Sequence, residues 1–320
     1  MKKIILYNPS ITTINIGDEI IFESICKHIQ PILKDAFNIH VSTHLPVSYL
    51  FSKILSSADE KFVCGTNLLR NNLGGVFRQW DINIFNAKKL GPAVLIGVGW
   101  QQDNKRLNLY TKGLYKKILH KEKIHSVRDE YTKKRLESLG FTNVINTGCA
   151  TMWDLTKDKC EKIPTTKSKK VIFTLTDYNK DPVKDKMIID VLSHEYEEVY
   201  LWLQGYGDYT YAKDLGILNN VTIVQPNLES YDKILLNEDV DYIGTRLHGG
   251  VRALQNDKRT MIIAVDSRAE EKKKDFNLPV ATRNVLTKDD VTNIIYNERK
   301  TQIDIPVDNI QAWKKAHRLI

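Results

Sequence analysis

Cysteine and long apolar runs are both scarce in this chain, and each scarcity argues against a class of protein. No CxxC pair occurs among the four cysteines, which are Cys26, Cys64, Cys149 and Cys160. Neither a disulfide framework nor a cysteine-rich zinc site is therefore indicated. Apolar runs such as 93–98 fall far short of the roughly 18 residues that span a bilayer. The first apolar run stops at Asn8 and is too short for a signal peptide, so we predict a cytoplasmic protein.

Signals for metal ions and nucleic acid are also missing. No cluster of histidine and cysteine predicts zinc, and no carboxylate-rich loop predicts calcium, so we expect no bound metal. The net charge of +8 would suit nucleic acid, an anionic substrate or the inner membrane surface. Because no recognised nucleic-acid motif is present, the sequence favours an anionic substrate or the membrane surface.

What the sequence does contain is a regular alternation of apolar strands and helical segments. This alternation predicts an α/β fold with parallel sheets and helices on both faces. After a first strand at 2–7, the predicted strands are 39–43, 61–65, 93–99, 124–127 and 144–146 in the first half, and 171–175, 199–203, 221–224, 241–244 and 260–265 in the second. The stretch TKDKCEKIPTTKSKK loses apolar residues and has the composition of an exposed linker. We therefore predict a Rossmann-like domain at 1–156, a linker at 157–170, a second Rossmann-like domain at 171–306 and a terminal helix at 307–320.

The stretch 240–254, VDYIGTRLHGGVRAL, combines a strand, a polar turn and a helix start. In an open α/β sheet, ligands bind outside the carboxyl ends of the strands, and a helix that begins there offers N–H groups to an anion. Arg246 would add a fixed positive charge, and His248 can change its protonation near neutral pH. The turn is therefore either an anion site with an acid/base, or a helix start whose arginine pairs with a structural carboxylate.

Other polar turns also follow predicted strands. In Asn15–Glu19 (NIGDE), Gly17 would allow a ligand to approach the backbone, although Asp18 could be only a helix cap. Arg128 lies at the end of another strand, where it could also pair with Asp129 or Glu130 on a solvated helix start. The segment 266–271 (DSRAEE) could also be an ordinary helix start. The segment 204–207 (QGYG) would face the cleft between the two predicted domains, or it could be a plain turn.

The order of these motifs resembles the polysaccharide pyruvyl transferase family. TRLHGG followed by an apolar helix resembles the family's C-terminal signature, with NIGDE and SVRDEYT before it and DSR after it. The resemblance spans most of the chain. It implies a GT-B-like fold in which two Rossmann-like domains face a cleft, and in which the terminal helix crosses back to the first domain. The acceptor would bind on the first domain and phosphoenolpyruvate on the second.

The resemblance also implies a reaction, in which the pyruvyl unit of phosphoenolpyruvate moves to a sugar as a ketal and phosphate is released. Two arginines and a helix N-terminus suit the donor's carboxylate and phosphate. We therefore predict donor contacts from Arg128 and from the turn formed by Arg246, Leu247, His248 and Gly249. His248 and Arg246 are the predicted catalytic residues. Weaker candidates for the acceptor side or the cleft are Asn15, Asp18, Asp266 and Arg268.

The expected acceptor is a sugar of a bacterial capsule, exopolysaccharide or cell-wall glycan carried on a lipid diphosphate. Such an acceptor would bring the protein into peripheral contact with the inner face of the membrane. No cofactor beyond the donor substrate is expected. Two alternatives stay open at this point: a GT-B-type glycosyltransferase that uses a nucleotide sugar, and a non-catalytic sugar-binding protein.

Overall fold

The computed structural model of the protein describes residues 1–75, 78–101 and 106–320. It divides into two compact units. The first unit comprises Met1–Thr13, Ile21–Trp153 and Pro306–Ile320, and the second comprises Ile14–Ile20 and Asp154–Ile305. The chain therefore changes unit in the loop after its first strand, and the NIGDE motif groups with the second unit.

Parallel strands form the centre of the first unit. They are β1 (Lys2–Asn8), β2 (Ala36–Ser42), β3 (Glu60–Cys64), β4 (Val94–Ile96), β5 (His125–Val127) and β6 (Val144–Asn146). One sheet has the order β2-β1-β3-β4, and β5 pairs with β6. A single bridge between Val98 and Val127 continues the pairing from the chain after β4 to β5. Strand β4 is shorter than the predicted 93–99 because the backbone turns at Gly97, where φ is +59°.

Helices of the first unit follow its strands in alternation. They are α1 (Gly17–Leu33), whose first residues group with the second unit, α2 (Tyr49–Ser56), α3 (Ala87–Leu90), α4 (Leu109–Ile118) and α5 (Glu130–Ser138). The side chains of Ser48, Asn108 and Asp129 each accept a hydrogen bond from the first turn of the helix that follows. These caps satisfy backbone donors that have no partner inside the helix, and they fix where α2, α4 and α5 begin.

The second unit is built on another parallel sheet. Its strands are β7 (Lys170–Phe173), β8 (Glu198–Trp202), β9 (Thr222–Val224), β10 (Val240–Gly244), β11 (Thr260–Ala264) and β12 (Val280–Thr282). Their order is β12-β11-β10-β7-β8-β9. The chain thus builds from β7 towards one edge, returns to the other side of β7 with β10, and builds towards the opposite edge. This is the strand order of a Rossmann fold, and its switch point lies between β7 and β10.

The helices of the second unit connect these strands. They are α6 (Lys157–Cys160), α7 (Pro182–Glu195), α8 (Asp208–Asp214), α9 (Leu228–Asn237), α10 (Leu247–Gln255), α11 (Ser267–Phe276) and α12 (Lys288–Tyr296). The segment 157–170, which the sequence marks as a linker, contains α6 and two buried side chains, Cys160 and Ile163. Those two apolar residues anchor the segment to the second unit.

The last helix, α13 (Val307–Ala316), belongs to the first unit. Its Ile310 and Trp313 are buried, and the indole N–H of Trp313 donates to the carbonyl of Ile124 at 3.0 Å. Across the described residues, no helix is long and apolar enough to cross a membrane.

Candidate functional site

The turn after β10 is held by hydrogen bonds to the chain that leaves β7, at the switch point of the second sheet. The Thr174 carbonyl accepts from the N–H of Thr245 at 3.0 Å, and the Thr174 hydroxyl accepts from the N–H of Arg246 at 3.1 Å. The Tyr242 hydroxyl donates to the Arg246 carbonyl at 2.7 Å. All these groups are buried. The start of α10 is therefore fixed by the fold itself before any ligand binds.

The Arg246 side chain is buried among acceptors, with only 3% of its surface exposed. Nε donates to the Leu175 carbonyl at 2.7 Å, and Nη2 donates to Asp177 at 2.8 Å and to Asp208. Asp208 is fully buried and also accepts from the N–H of Gly205 at 2.7 Å. Of the two readings that the sequence left open, pairing with a structural carboxylate is thus present. These contacts use Nε and Nη2 of the guanidinium.

The charged groups of this cluster shift one another's pKa values. Burial raises the pKa of Asp208, and the Arg246 guanidinium partly offsets that rise. Burial lowers the pKa of Arg246, but Asp208, Tyr178 and Asp177 raise it by more, so the net shift is upward. Arg246 is therefore permanently charged, and its charge is largely compensated inside the protein.

Helix α10 begins directly after Arg246, with Leu247, His248 and Gly249 in its first turn. The Gly250 N–H makes the first hydrogen bond of the helical pattern, to the Arg246 carbonyl at 3.1 Å. N–H groups that precede this bond have no partner within a helix and carry the positive end of its dipole. His248 is half-buried. The first turn thus combines an anion-binding backbone with an imidazole that can exchange a proton.

Gln204 lies beside this turn and is 3% exposed. Its Nε2 donates to Asn15 Oδ1 at 2.8 Å. Its Oε1 is buried and has no hydrogen-bond partner in the described part of the chain. That oxygen stands 3.1 Å from where a Cβ on Gly249 would lie. A buried acceptor without a partner costs free energy, which makes Gln204 a candidate ligand contact.

The NIGDE segment is attached to the same turn. The Ile16 N–H donates to the Gln204 carbonyl at 2.9 Å, and the Tyr206 N–H donates to the Ile14 carbonyl at 3.0 Å. Asn15 Oδ1 also accepts from the Gly17 N–H at 3.1 Å, which caps the start of α1. The structure therefore brings Asn15 next to Gln204, and Asp18 follows in the first turn of α1.

A family model described as "Polysaccharide pyruvyl transferase" matches residues 15–267. The chain belongs to the polysaccharide pyruvyl transferase family. The matched range includes NIGDE, SVRDEYT and TRLHGG and reaches the start of DSR, which confirms the resemblance seen in the sequence. No curated protein sequence matches the chain significantly.

Solved structures similar to this pyruvyl transferase family member include a Staphylococcus aureus MnaA–UDP structure, with 11% identity and a TM-score of 0.53. That match covers 100% of this chain and 98% of the other. The Methanocaldococcus jannaschii UDP-GlcNAc 2-epimerase in complex with UDP-GlcNAc and UDP has 10% identity and a TM-score of 0.53, and the match covers 100% and 99% of the two chains. At such low identity the likeness shows the fold alone, and it confirms the GT-B-like fold class.

In this family member, Arg128 lies in the first unit and Arg246 in the second. Arg128 is buried, and its Nε donates to Asp129 at 3.0 Å. A Cβ on Gly99 would stand 2.1 Å from Arg128 Nε, so the absence of a side chain there makes room for the guanidinium. A donor contact from Arg128 stays a prediction.

Asp266 and Arg268 are brought to Arg246 through Tyr178. Arg268 forms an ion pair with Asp266 at 2.6 Å and donates to the Tyr178 hydroxyl. The guanidinium carbon of Arg246 lies 5.2 Å from the centre of the Tyr178 ring, and that of Arg268 lies 5.4 Å from it. Tyr178 is 57% exposed. It therefore presents an aromatic surface held by two cations beside the switch point.

No group of three histidine, cysteine or carboxylate side chains in the described ranges is placed to hold a metal ion. His40 and His44 have an HxxxH spacing, but His40 lies on β2 and His44 just beyond it rather than on one helix face. The two ring nitrogens of His44 pair with the carbonyls of Gln79 and Pro9, at 2.9 and 3.1 Å. That spacing therefore does not form a metal site.

Sequence reasoning passed over Asp177, Tyr178 and Asp208. It expected the segment that contains Gln204 to face the cleft or to be a plain turn, and it did not select Gln204 as a site residue. Asp177 and Tyr178 follow β7, and Gln204 and Asp208 follow β8. The available signal was their position just beyond the carboxyl end of a parallel strand.

Proposed function

We propose that the protein transfers the pyruvyl unit of phosphoenolpyruvate to a sugar of a bacterial capsule, exopolysaccharide or cell-wall glycan as a ketal. The observation that carries the proposal is the family match over residues 15–267, a range that includes Arg246 and His248 at the start of α10. A non-catalytic protein with the same fold would not require a half-buried imidazole next to a buried arginine at the switch point of the sheet.

The chemistry requires two sugar hydroxyls and one donor. The first hydroxyl oxygen bonds to C2 of phosphoenolpyruvate while a proton is delivered to the methylene carbon, which becomes a methyl group. The second hydroxyl oxygen then bonds to C2, the bond from C2 to the phosphate oxygen breaks, and phosphate leaves with the remaining proton. The protein must therefore move protons and stabilise the charge that builds on the departing phosphate.

The start of α10 suits the phosphate. Its first-turn N–H groups and the helix dipole favour an anion, and the charged Arg246 directly precedes that turn. Because Asp177 and Asp208 compensate most of the charge on Arg246, we assign that residue chiefly to holding the turn in place. His248, two positions further on, is assigned as the acid/base or as the group that holds the leaving phosphate. Arg128 is proposed as a further donor contact.

Gln204 is proposed to accept a hydrogen bond from a bound substrate through Oε1. Gln204→Leu should leave the free energy of unfolding within about 1 kcal/mol, since it removes an unpaired acceptor together with one bond to Asn15. It should lower kcat/KM by roughly 5- to 100-fold, which is the range expected for one lost hydrogen bond in a dry site. Steady-state kinetics and thermal melting check this, with the exposed Gln225→Leu as control. Unchanged kinetics in Gln204→Leu would remove Gln204 from the site.

The acceptor is proposed to be a sugar on a lipid diphosphate at the inner membrane face, with Asn15, Asp18, Asp266 and Arg268 as weaker candidates for acceptor contacts. No cofactor or metal ion is proposed beyond the donor. All four weaker candidates lie in the second unit, so the sequence-based assignment of the acceptor to the first unit stays a prediction.

Phosphate release is the direct test. We expect release of phosphate from phosphoenolpyruvate that depends on an acceptor, in a panel of simple and lipid-linked galactosides, and that continues unchanged with a chelator present. Calorimetry with phosphoenolpyruvate alone separates a missing acceptor from a wrong donor, since donor binding without turnover means that the panel lacks the right sugar. No donor binding, together with release of nucleotide from a nucleotide sugar, would favour the glycosyltransferase instead.

A further inference from the structure

Three neighbouring segments of the first unit expose apolar side chains to solvent. Helix α2 packs against α3, and α3 packs against α4. We call the outer surface of these segments the apolar–basic face. Its apolar members are Tyr49, Leu50, Ile54, Phe85 and Leu109.

The apolar side chains of this face are more exposed than is usual for leucine and phenylalanine. Leu50 is 74% exposed and Phe85 is 85% exposed, while the polar Ser52 on the same helix as Leu50 is buried. A single exposed apolar residue is ordinary on a protein surface. A group of them on adjoining helices marks a surface that meets something apolar.

The same three helices carry exposed basic residues. Lys53 is on α2, Lys88 on α3, and Lys116 and Lys117 on α4, and all are exposed. The segments 45–57, 84–92 and 106–119 contain no aspartate or glutamate. Since the net charge of the whole chain is +8, a large share of the excess is placed here without any opposite charge.

The Tyr49 ring is held in position by these lysines. Lys89 Nζ lies 3.3 Å from the ring centre, and Lys53 Nζ lies 5.1 Å from it. Tyr49 is 63% exposed, so the ring lies at the surface with cations close to it. Aromatic rings and lysine stems of this kind sit naturally at the boundary between acyl chains and headgroups.

We infer that the apolar–basic face docks the protein on a bilayer that contains anionic lipids. The apolar side chains enter the headgroup boundary, and the lysines pair with lipid phosphates. A second copy of this chain is a poorer occupant, because a two-fold contact through this face would set uncompensated lysines against one another. An anionic lipid surface supplies the missing charge. The inference goes beyond pyruvyl transfer, since none of these residues belongs to the candidate functional site.

Co-sedimentation of the full chain with lipid vesicles tests the inference without any assay of turnover. Wild-type protein should bind vesicles made of equal parts phosphatidylcholine and phosphatidylglycerol, bind pure phosphatidylcholine far less, and lose binding as salt increases. The double variant Lys53→Gln/Lys88→Gln should bind the anionic vesicles roughly tenfold or more weakly. Lys157→Gln/Lys169→Gln, at exposed lysines of the second unit, is the matched control and should bind as wild type does.

The apolar contribution has its own variant. Leu50→Ser/Phe85→Ser should also weaken binding to anionic vesicles, whereas Val183→Ser/Leu236→Ser, at exposed positions of the second unit, should not. Failure of the wild type to bind anionic vesicles would overturn the inference. So would equal binding by the face variants and their controls, or wild-type dimerisation that Leu50→Ser/Phe85→Ser abolishes.

Discussion

Replacing Arg246 by alanine should lower the free energy of unfolding by about 3–5 kcal/mol, equivalent to roughly 10 °C in Tm. The reason is that Asp208, which is fully buried, would lose the guanidinium that compensates its charge. The carbonyl of Leu175 would lose its donor as well. Few single substitutions cost this much, because total stabilities are only about 5–15 kcal/mol. Thermal or denaturant unfolding followed by circular dichroism measures the loss.

Arg252, on the helix that begins directly after Arg246, provides a matched control. Arg252 pairs with Asp232 through two hydrogen bonds, at 2.8 and 2.6 Å, but both side chains reach solvent. Arg252→Ala should therefore cost only about 1 kcal/mol. If the two variants were equally stable, Asp208 would not depend on Arg246 and the buried cluster would be of little structural importance.

The loss in Arg246→Ala should also depend on pH. Burial raises the pKa of Asp208 and Arg246 lowers it, so removal of Arg246 leaves the folded-state pKa further above the unfolded value of about 3.9. The folded variant then binds this proton more tightly than the unfolded chain. Its deficit relative to the wild type should be smallest at low pH. It should grow as the pH rises through the wild-type folded-state pKa of Asp208, which burial already places above the usual value. Asp208→Asn in the same background should recover part of the lost stability.

Because Arg246→Ala is expected to destabilise the protein, its activity is a poor test of a catalytic role for Arg246. An inactive Arg246→Ala protein could be inactive because the start of α10 has moved, since the Arg246 side chain links that turn to the chain after β7 and β8. Loss of activity in that variant would therefore not identify a donor contact. A residue of the same turn that does not support the buried cluster is the better probe.

The strands were largely predictable because buried parallel strands are short apolar runs bounded by polar residues. The run at Val144 predicted β6 with its observed bounds. The last strand, β12, was not predicted, because its three residues, VAT, are too few to show the apolar pattern of a strand. The change of unit at residues 14–20 was also not predictable, since it depends on backbone bonds from Ile16 and Tyr206.

The candidate site was predictable only in part for a similar reason. A motif located Arg246 and His248, but the partners of Arg246 are 69 and 38 residues away in the sequence, at Asp177 and Asp208. These carboxylates meet Arg246 because β10, β7 and β8 are neighbours in the sheet. Strand order is set by the packing of the whole unit, which local patterns do not encode.

His248→Ala should reduce kcat for phosphate release by about 10²- to 10⁴-fold while the protein stays folded, because general acid/base groups contribute in that range. His248 is half-buried in the first turn of α10, and Thr174 and Tyr242 hold that turn independently of its side chain. His194→Ala is the matched control, since the His194 side chain is 85% exposed on α7. Near-normal turnover in His248→Ala would exclude the assignment.

His248→Asn separates the two roles open to this residue. Asparagine can donate a hydrogen bond to a phosphate but cannot transfer a proton at neutral pH. If His248 moves a proton, the asparagine variant should lose kcat as severely as the alanine variant, with phosphoenolpyruvate affinity by calorimetry unchanged. If His248 holds the phosphate, asparagine should restore much of both affinity and turnover relative to alanine. The comparison therefore assigns the chemistry at this turn in a way that substitution of Arg246 cannot.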